Sequence, residues 1–96
     1  MNYSYLPAAV SELTDSAQYY DSESAGLGLE FLDEIEHSVR QITAFPEAWT
    51  EVRPGVRRYL TRRFPFALLY SKQRNHIVIL AVMHCKKKPD YWVDRI

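Results

Sequence analysis

The sequence predicts an α+β domain in which an antiparallel helical hairpin packs on one face of a four-stranded, mainly antiparallel sheet. Two stretches of the first half have apolar residues at helical spacing and are joined by a short run of small residues. Three stretches of the second half have strand-like composition. In the last of them the odd-numbered and the even-numbered residues are both apolar. The predicted order is strand, helix, helix, strand, strand, strand. The 96 residues suffice for one domain, 1–96, and leave no room for a second.

The first strand and the first helix are predicted near the start of the chain. Tyr3 and Tyr5 alternate with a serine between residues 2 and 6, which is typical of a short strand. Pro7 suits the first turn of a helix, because the N–H that proline lacks has no partner there. Apolar residues at spacings of three, four and three then predict a helix from about residue 7 to 21: Val10, Leu13, Ala17 and Tyr20. Glu12 falls on the other side of this helix and is expected to face water.

A second helix is predicted from Leu27 to Phe45. The connection before it, from Ser22 to Gly28, is rich in serine and glycine and fits a tight turn between two helices. The apolar stripe of this helix consists of Leu32, Ile35, Val39 and Ile42, widened by Phe31. Pro46 ends the helix. The stretch from Pro46 to Gly55 contains a Pro-Gly turn signal and is predicted as a loop.

Three further strands are predicted at residues 56–61, 66–70 and 76–82. Pro65 cannot donate a hydrogen bond to a strand ladder, so it is placed at the start of its strand. The hairpin turn before the last strand is predicted at residues 72–75. In the last strand both alternating sets are apolar, one being Ile77, Ile79 and Ala81 and the other Val78, Leu80 and Val82. Both faces of this strand must therefore be covered, and it is expected to lie inside the sheet.

A sheet of four strands has two faces, and one helical hairpin covers only one of them. The end of the chain is expected to fold back over the second face through Tyr91, Trp92, Val93 and Ile96. Any apolar surface that these residues leave exposed is a natural binding site for another protein. The sequence therefore predicts either a dimer or an obligate protein partner.

The charges are divided sharply between the two halves of the chain. Residues 1–48 contain nine acidic residues and one basic residue, a net charge of −8, whereas residues 49–96 contain three acidic and eleven basic residues, a net charge of +8. One interpretation is that the basic half presents a cationic surface to an anionic partner, either nucleic acid or an acidic protein segment. The alternative is that the acidic half neutralises the basic half within the fold.

The composition is that of an ordinary soluble domain. Hydrophobic residues make up 47% and charged residues 25%, and no apolar run approaches the roughly 20 residues that a membrane-spanning helix needs. The first residues lack the features of a signal peptide, so a cytoplasmic location is expected. Cys85 is the single cysteine, and it has no companion for a disulfide or a zinc site. Neither a metal ion nor a cofactor is predicted.

Short motifs along nearly the whole chain carry a resemblance to a known family. In the first half they are Tyr5-Leu6-Pro7-Ala8-Ala9, Ala17-Gln18-Tyr19-Tyr20, the helix start from Gly28 to Phe31, and Phe45-Pro46. In the second half they are Arg57-Arg58, Phe64-Pro65-Phe66 leading to Tyr70, and His84 followed by Lys87, Pro89, Tyr91-Trp92 and Arg95. With these motifs the chain resembles the RelE/ParE superfamily of bacterial type II toxins, and especially its ParE-like branch, the plasmid stabilisation proteins.

The resemblance implies a small toxin that a cognate antitoxin binds and neutralises in a hetero-oligomer, with a homodimer also possible. It leaves two kinds of target open. RelE-like members are endoribonucleases that cut messenger RNA on the ribosome, whereas ParE-like members inhibit DNA gyrase. A third possibility is a non-toxic, protein-binding member of the family.

The nuclease interpretation has candidate residues near the end of the chain. Cleavage of RNA through its 2′-hydroxyl needs a base, an acid and cations that stabilise the charge on phosphorus. His84 is the candidate base or acid, Tyr91 the candidate hydroxyl donor or stacking ring, and Arg58, Lys86 and Lys87 the candidate phosphate ligands. Each has a structural alternative: His84 as a cap of the strand end, the lysines as a solvated turn, and Tyr91 and Trp92 as a cover of the sheet.

Two positions depart from the RelE-like pattern. Where those nucleases usually have an arginine three residues before the closing tyrosine of the third strand, this chain has Ala67, and where they have a lysine in the second strand it has Leu60. This departure favours gyrase inhibition over RNA cleavage. Five cations are then the predicted target-binding residues, Arg57, Arg58, Lys86, Lys87 and Arg95, with Tyr91 and Trp92 as partner-binding residues.

Overall fold

The computed structural model describes residues 1–96, which form two α-helices and five strands. In chain order they are β1 (Asn2–Tyr5), α1 (Pro7–Glu23), α2 (Leu27–Ala44), β2 (Thr50–Arg53), β3 (Val56–Leu60), β4 (Phe66–Gln73) and β5 (His76–His84). A short 3₁₀ turn, Val93–Arg95, follows near the C-terminus. The predicted α+β class and the helical hairpin on the sheet are confirmed. Neither helix has both the length and the apolar composition that a bilayer crossing requires.

The sheet has five strands in the order β1-β5-β4-β3-β2, so the predicted number of four is wrong. β1 pairs with β5 in parallel, and the other three pairings are antiparallel. β5 therefore has a neighbour on each side, as its two apolar faces predict. The additional strand is β2, which lies in the stretch predicted as a loop. All four of its residues are exposed, and it pairs only with β3. A strand with no buried face leaves no alternation of apolar residues for sequence analysis to detect.

The helices cover one face of the sheet, here called the helix face. Phe31, Ile35 and Ile42 of α2 pack there in one buried cluster with Tyr70 of β4 and Ile79 of β5. Gly28 allows the two helices to approach closely, because a Cβ at this position would lie 2.6 Å from the carbonyl oxygen of Ala17. Gly26, with φ of 87°, makes the left-handed turn between the helices.

A β-bulge interrupts β5 and changes which residues face the helices. Ala81 pairs with Leu69 and Ile79 pairs with Tyr70, which leaves Leu80 as an extra residue on β5. Leu80 and Ala81 consequently both belong to the cluster on the second face, whereas Val82 belongs to the helix-face core. The regular alternation predicted through Val82 is therefore wrong after residue 79. The strand also continues beyond residue 82, to His84.

The second face of the sheet, here called the open face, is crossed by residues 89–96, here called the C-terminal segment. Trp92 is the centre of this contact: it is 1% exposed and packs in one cluster with Val56, Leu69 and Leu80. The indole Nε1 of Trp92 donates to the carbonyl oxygen of Pro89 at 2.7 Å, which satisfies its only donor inside the segment. Tyr91 and Val93 pack on the margin of the same cluster.

The segment leaves part of the open face uncovered. A groove of about 430 Å³ lies beside it, lined by residues that include Leu6, Val56, Val78, Leu80 and Ile96. The prediction that the chain end folds back over the second face is thus confirmed for Tyr91, Trp92 and Val93. Ile96 lies at the edge of the groove and is 65% exposed.

Candidate functional site

His84 lies at the end of β5, where the strand leaves the sheet. Its Nδ1 accepts a hydrogen bond from the N–H of Lys86 at 3.0 Å, and its ring lies 5.1 Å from the ring of Phe66. The side chain is half-buried, and its Nε2 has no hydrogen-bond partner. His84 thus shapes the turn into the lysine run and leaves one ring nitrogen free.

Tyr91 and Arg95 are both bound by one carboxylate, that of Glu12 in α1. The Tyr91 hydroxyl donates to Glu12 Oε2 at 2.5 Å. The Arg95 guanidinium donates from Nη1 to Oε1 at 2.8 Å and from Nη2 to Oε2 at 3.0 Å, a bidentate pair. Arg95 Nη1 also donates to the carbonyl oxygen of Leu80 at 3.0 Å. These contacts use the polar groups of Tyr91 and Arg95 within the chain.

The environment of this cluster favours a neutral tyrosine and a charged arginine. Burial raises the pKa of Tyr91 far above its ordinary value, and the hydrogen bond to Glu12 raises it further. The hydrogen bonds to Glu12 also raise the pKa of Arg95. A tyrosine held in this way keeps its proton at any physiological pH and donates it to the carboxylate.

Glu12 is the residue of this cluster that sequence analysis missed. It was expected to face water, but its side chain is only 19% exposed, and it also accepts a hydrogen bond from the N–H of Val82 at 3.0 Å. The expectation is wrong because the apolar stripe of a helix predicts only which of its residues pack in the core. It does not indicate a polar side chain that binds groups beside the edge of the sheet. Its partners lie 70 to 83 residues away in the chain, so no local pattern indicated them.

The two arginines of β3 point to opposite faces, as alternation along a strand requires. Arg57 shares the helix face with its pairing partner Tyr70, and Arg57 Nη1 donates to the carbonyl oxygen of Trp49 at 2.7 Å. Arg58 pairs with Leu69 and lies on the open face, where it is exposed and takes part in no ion pair. Arg57 thus holds the loop before β2, whereas Arg58 is free to meet a partner.

Ion pairs between the halves of the chain neutralise a large part of its divided charge. Six of the twelve lysines and arginines form an ion pair with an acidic side chain. Four of these pairs join the acidic half to the basic half: Arg62–Glu34, Arg63–Glu30, Lys72–Glu47 and Arg95–Glu12. The cations outside any ion pair are Arg57, Arg58, Arg74 and the run from Lys86 to Lys88. Both interpretations of the charge division therefore describe part of the molecule.

The structure separates one nuclease candidate, Arg58, from the others. Lys86 donates its N–H to His84, and Lys87 Nζ lies 5.7 Å from the centre of the Tyr91 ring. His84 pairs with Phe66 and Arg58 with Leu69, three residues further along β4. An odd separation along a strand puts the two side chains on opposite faces, so Arg58 does not face the same site as His84. No group of three or more His, Cys, Asp or Glu side chains is arranged to hold a metal ion.

The two positions that depart from the RelE-like pattern also supply no phosphate ligand here. Ala67 is fully buried on the open-face side of β4, beneath the C-terminal segment. Leu60 is its pairing partner on β3 and is 56% exposed. A surface pocket beside Leu60 is lined by Trp49, Thr50 and Arg58, which makes this corner of the open face apolar with one cation.

The chain is thus a small α+β protein, with a helical hairpin on a mixed five-stranded sheet and unpaired cations at the sheet rim. A family model described as the ParE toxin of the type II toxin–antitoxin system, parDE, matches residues 3–89. The chain belongs to this ParE toxin family. The resemblance seen in its sequence motifs is thereby confirmed.

The fold is also similar to that of a solved structure, a chromosomal ParDE toxin–antitoxin system from P. aeruginosa. The TM-score is 0.66 and the sequence identity 18%, and the match covers 90% of this chain and 97% of that chain. At this identity the likeness concerns the fold. Among curated proteins, none matches the chain at a significant level.

Proposed function

We propose that this chain is the toxin of a type II toxin–antitoxin pair, that it acts by inhibiting DNA gyrase, and that a cognate antitoxin neutralises it. The observation that carries the proposal is the match to the ParE toxin family over residues 3–89. Inhibition of a large enzyme requires a binding surface and no catalytic residues of its own. The free cations and the partly covered open face are surfaces of that kind.

The arrangement of the candidate residues supports binding over RNA cleavage. The Tyr91 hydroxyl and the Arg95 guanidinium are engaged by Glu12, and Arg57 is engaged by the carbonyl oxygen of Trp49. His84 has no acidic or cationic partner among its hydrogen bonds. A nuclease site would need these groups to converge on one phosphate. Of the five predicted target-binding cations, Arg58, Lys86 and Lys87 remain outside any ion pair or backbone contact of the side chain.

The antitoxin is proposed to cover apolar surface that the chain leaves exposed. The groove beside the C-terminal segment is lined by Leu6, Val56, Val78 and Leu80, and Leu60 is exposed at the other corner of the open face. A groove with apolar walls can take the apolar side chains of a partner segment. A partner segment that combines apolar and acidic residues would match the groove and Arg58 together.

Expression of the chain without its antitoxin tests the proposal in cells. We expect growth arrest with filamentation, while primer extension finds messenger RNA uncut. His84→Ala is expected to arrest growth as the wild type does, because His84 has no role in gyrase binding. Arrest with messenger cleavage that His84→Ala abolishes would contradict the proposal, and normal growth of the wild type would do so as well.

A further inference from the structure

The carboxylate of Glu12 joins three separate parts of the chain. It belongs to α1, it accepts the N–H of Val82 in β5, and it binds Tyr91 and Arg95 of the C-terminal segment. These bonds have lengths between 2.5 and 3.0 Å, and two of them form the bidentate pair with Arg95. The carboxylate thus has four donors, which is a full set for its two oxygens.

The path of the chain explains why this point of the sheet needs a side-chain partner. β1 pairs with β5 only as far as Ile79, and after Leu6 the chain turns away into α1. The edge of β5 beyond that residue therefore has no strand beside it. Glu12 binds the N–H of Val82 and Arg95 binds the carbonyl oxygen of Leu80, so the two side chains replace the missing strand at the bulge.

The same two side chains fix the position of the C-terminal segment. Its only other ion pair is Arg53–Asp90, at 3.5 Å between two exposed side chains, which contributes little. Trp92 supplies apolar contact, but apolar contact has no preferred direction. Tyr91 is further held by the Arg95 guanidinium carbon, which lies 5.0 Å from the centre of its ring. The direction of the segment across the open face is therefore set by Glu12.

We infer that Glu12 is a positioning residue that holds the C-terminal segment on the open face, and that toxicity depends on it. It acts through Tyr91 and Arg95, which place Trp92 in its pocket and the lysine run, Lys86 to Lys88, at the rim. The part of the inference that concerns toxicity rests on the proposed function, whereas the part that concerns the segment is independent of it.

Loss of the carboxylate charge is expected to release the segment locally. Glu12→Gln replaces one carboxylate oxygen, an acceptor, with an NH₂ group, which is a donor. The side chain can then no longer accept both hydrogen bonds from Arg95. The Arg95 guanidinium, which is only 20% exposed, also loses its counter-charge. We expect the population in which the segment is detached to rise about tenfold, the effect of one lost charged hydrogen bond. The matched control is Asp15→Asn, which removes a carboxylate from the same helix where the side chain is exposed and unbonded.

Two measurements on the purified full chain test the part that concerns the segment. In a Trp49→Phe background Trp92 is the only tryptophan, so quenching of its fluorescence by acrylamide reports detachment. Hydrogen exchange at the amide of Val82 reports whether the side chain of residue 12 still accepts its N–H. Glu12→Gln is expected to increase the quenching of Trp92 and to raise the exchange rate at Val82 about tenfold. The exchange rate at the buried amide of Leu68 is expected to be the same in Glu12→Gln and in Asp15→Asn.

The results separate positioning from a general effect on stability. If Glu12→Gln raises the exchange rates at Val82 and Leu68 equally, the variant acts through global unfolding and the inference is overturned. The inference is also overturned if Trp92 is quenched equally in Glu12→Gln and Asp15→Asn. Tyr91→Phe removes one of the four bonds and serves as a milder variant. It is expected to give increases between those of Asp15→Asn and Glu12→Gln, and no increase would count against the inference.

Toxicity is tested by expressing the same variants. Glu12→Gln is expected to arrest growth at least tenfold less effectively than Asp15→Asn at matched protein levels, with Tyr91→Phe between them. If the wild type arrests growth and Glu12→Gln is equally toxic, the dependence of toxicity on Glu12 is refuted. If the wild type itself is harmless, the proposed function fails, while fluorescence and exchange still decide whether Glu12 holds the segment.

Discussion

At the scale of single residues, the polar groups that control this molecule have partners far away in the chain. Glu12 binds residues 70 to 83 positions later, and Tyr70 donates from its hydroxyl to the carbonyl oxygen of Pro46 at 2.6 Å. Sequence patterns extend over one element at a time, so they predicted a strand that ends at Tyr70, whereas β4 continues to Gln73, and they did not indicate the bond of the hydroxyl. His84 is half-exposed, and Arg58 and the lysine run are exposed.

The buried tyrosines predict a loss of stability at high pH. Burial raises the pKa of Tyr5 and of Tyr70 to about 12, from an ordinary value of 10.0, and for Tyr5 the neighbouring Tyr3 and Glu36 add to the effect. The unfolded chain binds fewer protons than the folded one above pH 10, so stability is present below that pH and is lost as pH rises toward 12. Denaturant titrations across this range measure it.

Tyr70→Phe provides the control for this dependence on pH. The variant loses the bond to Pro46 at every pH, but it also loses one of the shifted groups, so its stability should fall less steeply between pH 10 and 12 than that of the wild type. Parallel pH profiles for the two proteins would contradict the assignment of Tyr70.

Trp92 predicts a second effect at the residue scale. Trp92→Ala removes a side chain that is 1% exposed at the centre of the open-face cluster, and large-to-small changes of this kind cost about 3–5 kcal/mol of unfolding free energy. Tyr19→Ala is the matched control, because Tyr19 is an aromatic residue that is 59% exposed, and it should change stability by less than about 0.5 kcal/mol. Equal losses in urea denaturation would show that Trp92 is not part of a core.

At the scale of elements, the sequence predicted the helices well and the sheet less completely. α1, α2 and β3 to β5 all begin where periodicity placed them, since each buries a face and so carries a pattern. β4 runs to Gln73, three residues past its predicted end and into the predicted turn at residues 72–75, because its last residues are polar and exposed. β2 has no buried residue, and its pairing depends on the Pro54-Gly55 turn that was recognised only as a loop signal. The bulge at Leu80 is a local shift by one residue, which an alternating apolar sequence cannot indicate when both faces are apolar.

The contact between the two helices predicts a strict requirement at Gly28. In Gly28→Ala the added methyl group would lie 2.6 Å from the carbonyl oxygen of Ala17, so the backbone must shift, at a cost of about 1–3 kcal/mol. The control is Gly26→Asn in the same connection: asparagine adopts positive φ more readily than most residues, and nothing lies within 4 Å of that position. Thermal unfolding compares the two. A larger loss for Gly26→Asn would contradict the close approach at Gly28.

At the scale of the whole molecule, the fold converts a divided charge into a surface on which half of the lysines and arginines form ion pairs and the other half do not. Acidic helices and basic strands lie against each other, so four ion pairs join the two halves. The charge count predicted the division but not which cations would remain free, because that depends on which side chains the packing brings within reach. The family could be inferred from motifs, while the engagement of Tyr91 and Arg95 by Glu12 required the structure.

The free cations predict where the target is bound. Reversing charge at Lys86 and Lys87 together, Lys86→Glu with Lys87→Glu, should weaken gyrase inhibition at least tenfold, because both side chains are exposed and form no ion pair. The unfolding free energy should change by no more than about 1 kcal/mol, the value of the cation–π contact between Lys87 Nζ and the Tyr91 ring. Arg74→Glu is the control, since Arg74 is also unpaired but lies in the turn at the opposite end of β5. Equal loss in both variants would indicate a general effect of charge.

A supercoiling assay with purified DNA gyrase tests the proposed activity most directly. The purified wild-type chain is predicted to block supercoiling of relaxed plasmid in proportion to its concentration, and to leave messenger RNA intact when added to translating ribosomes. Unaffected supercoiling at a large molar excess of the chain, together with cut messenger RNA, would contradict the account.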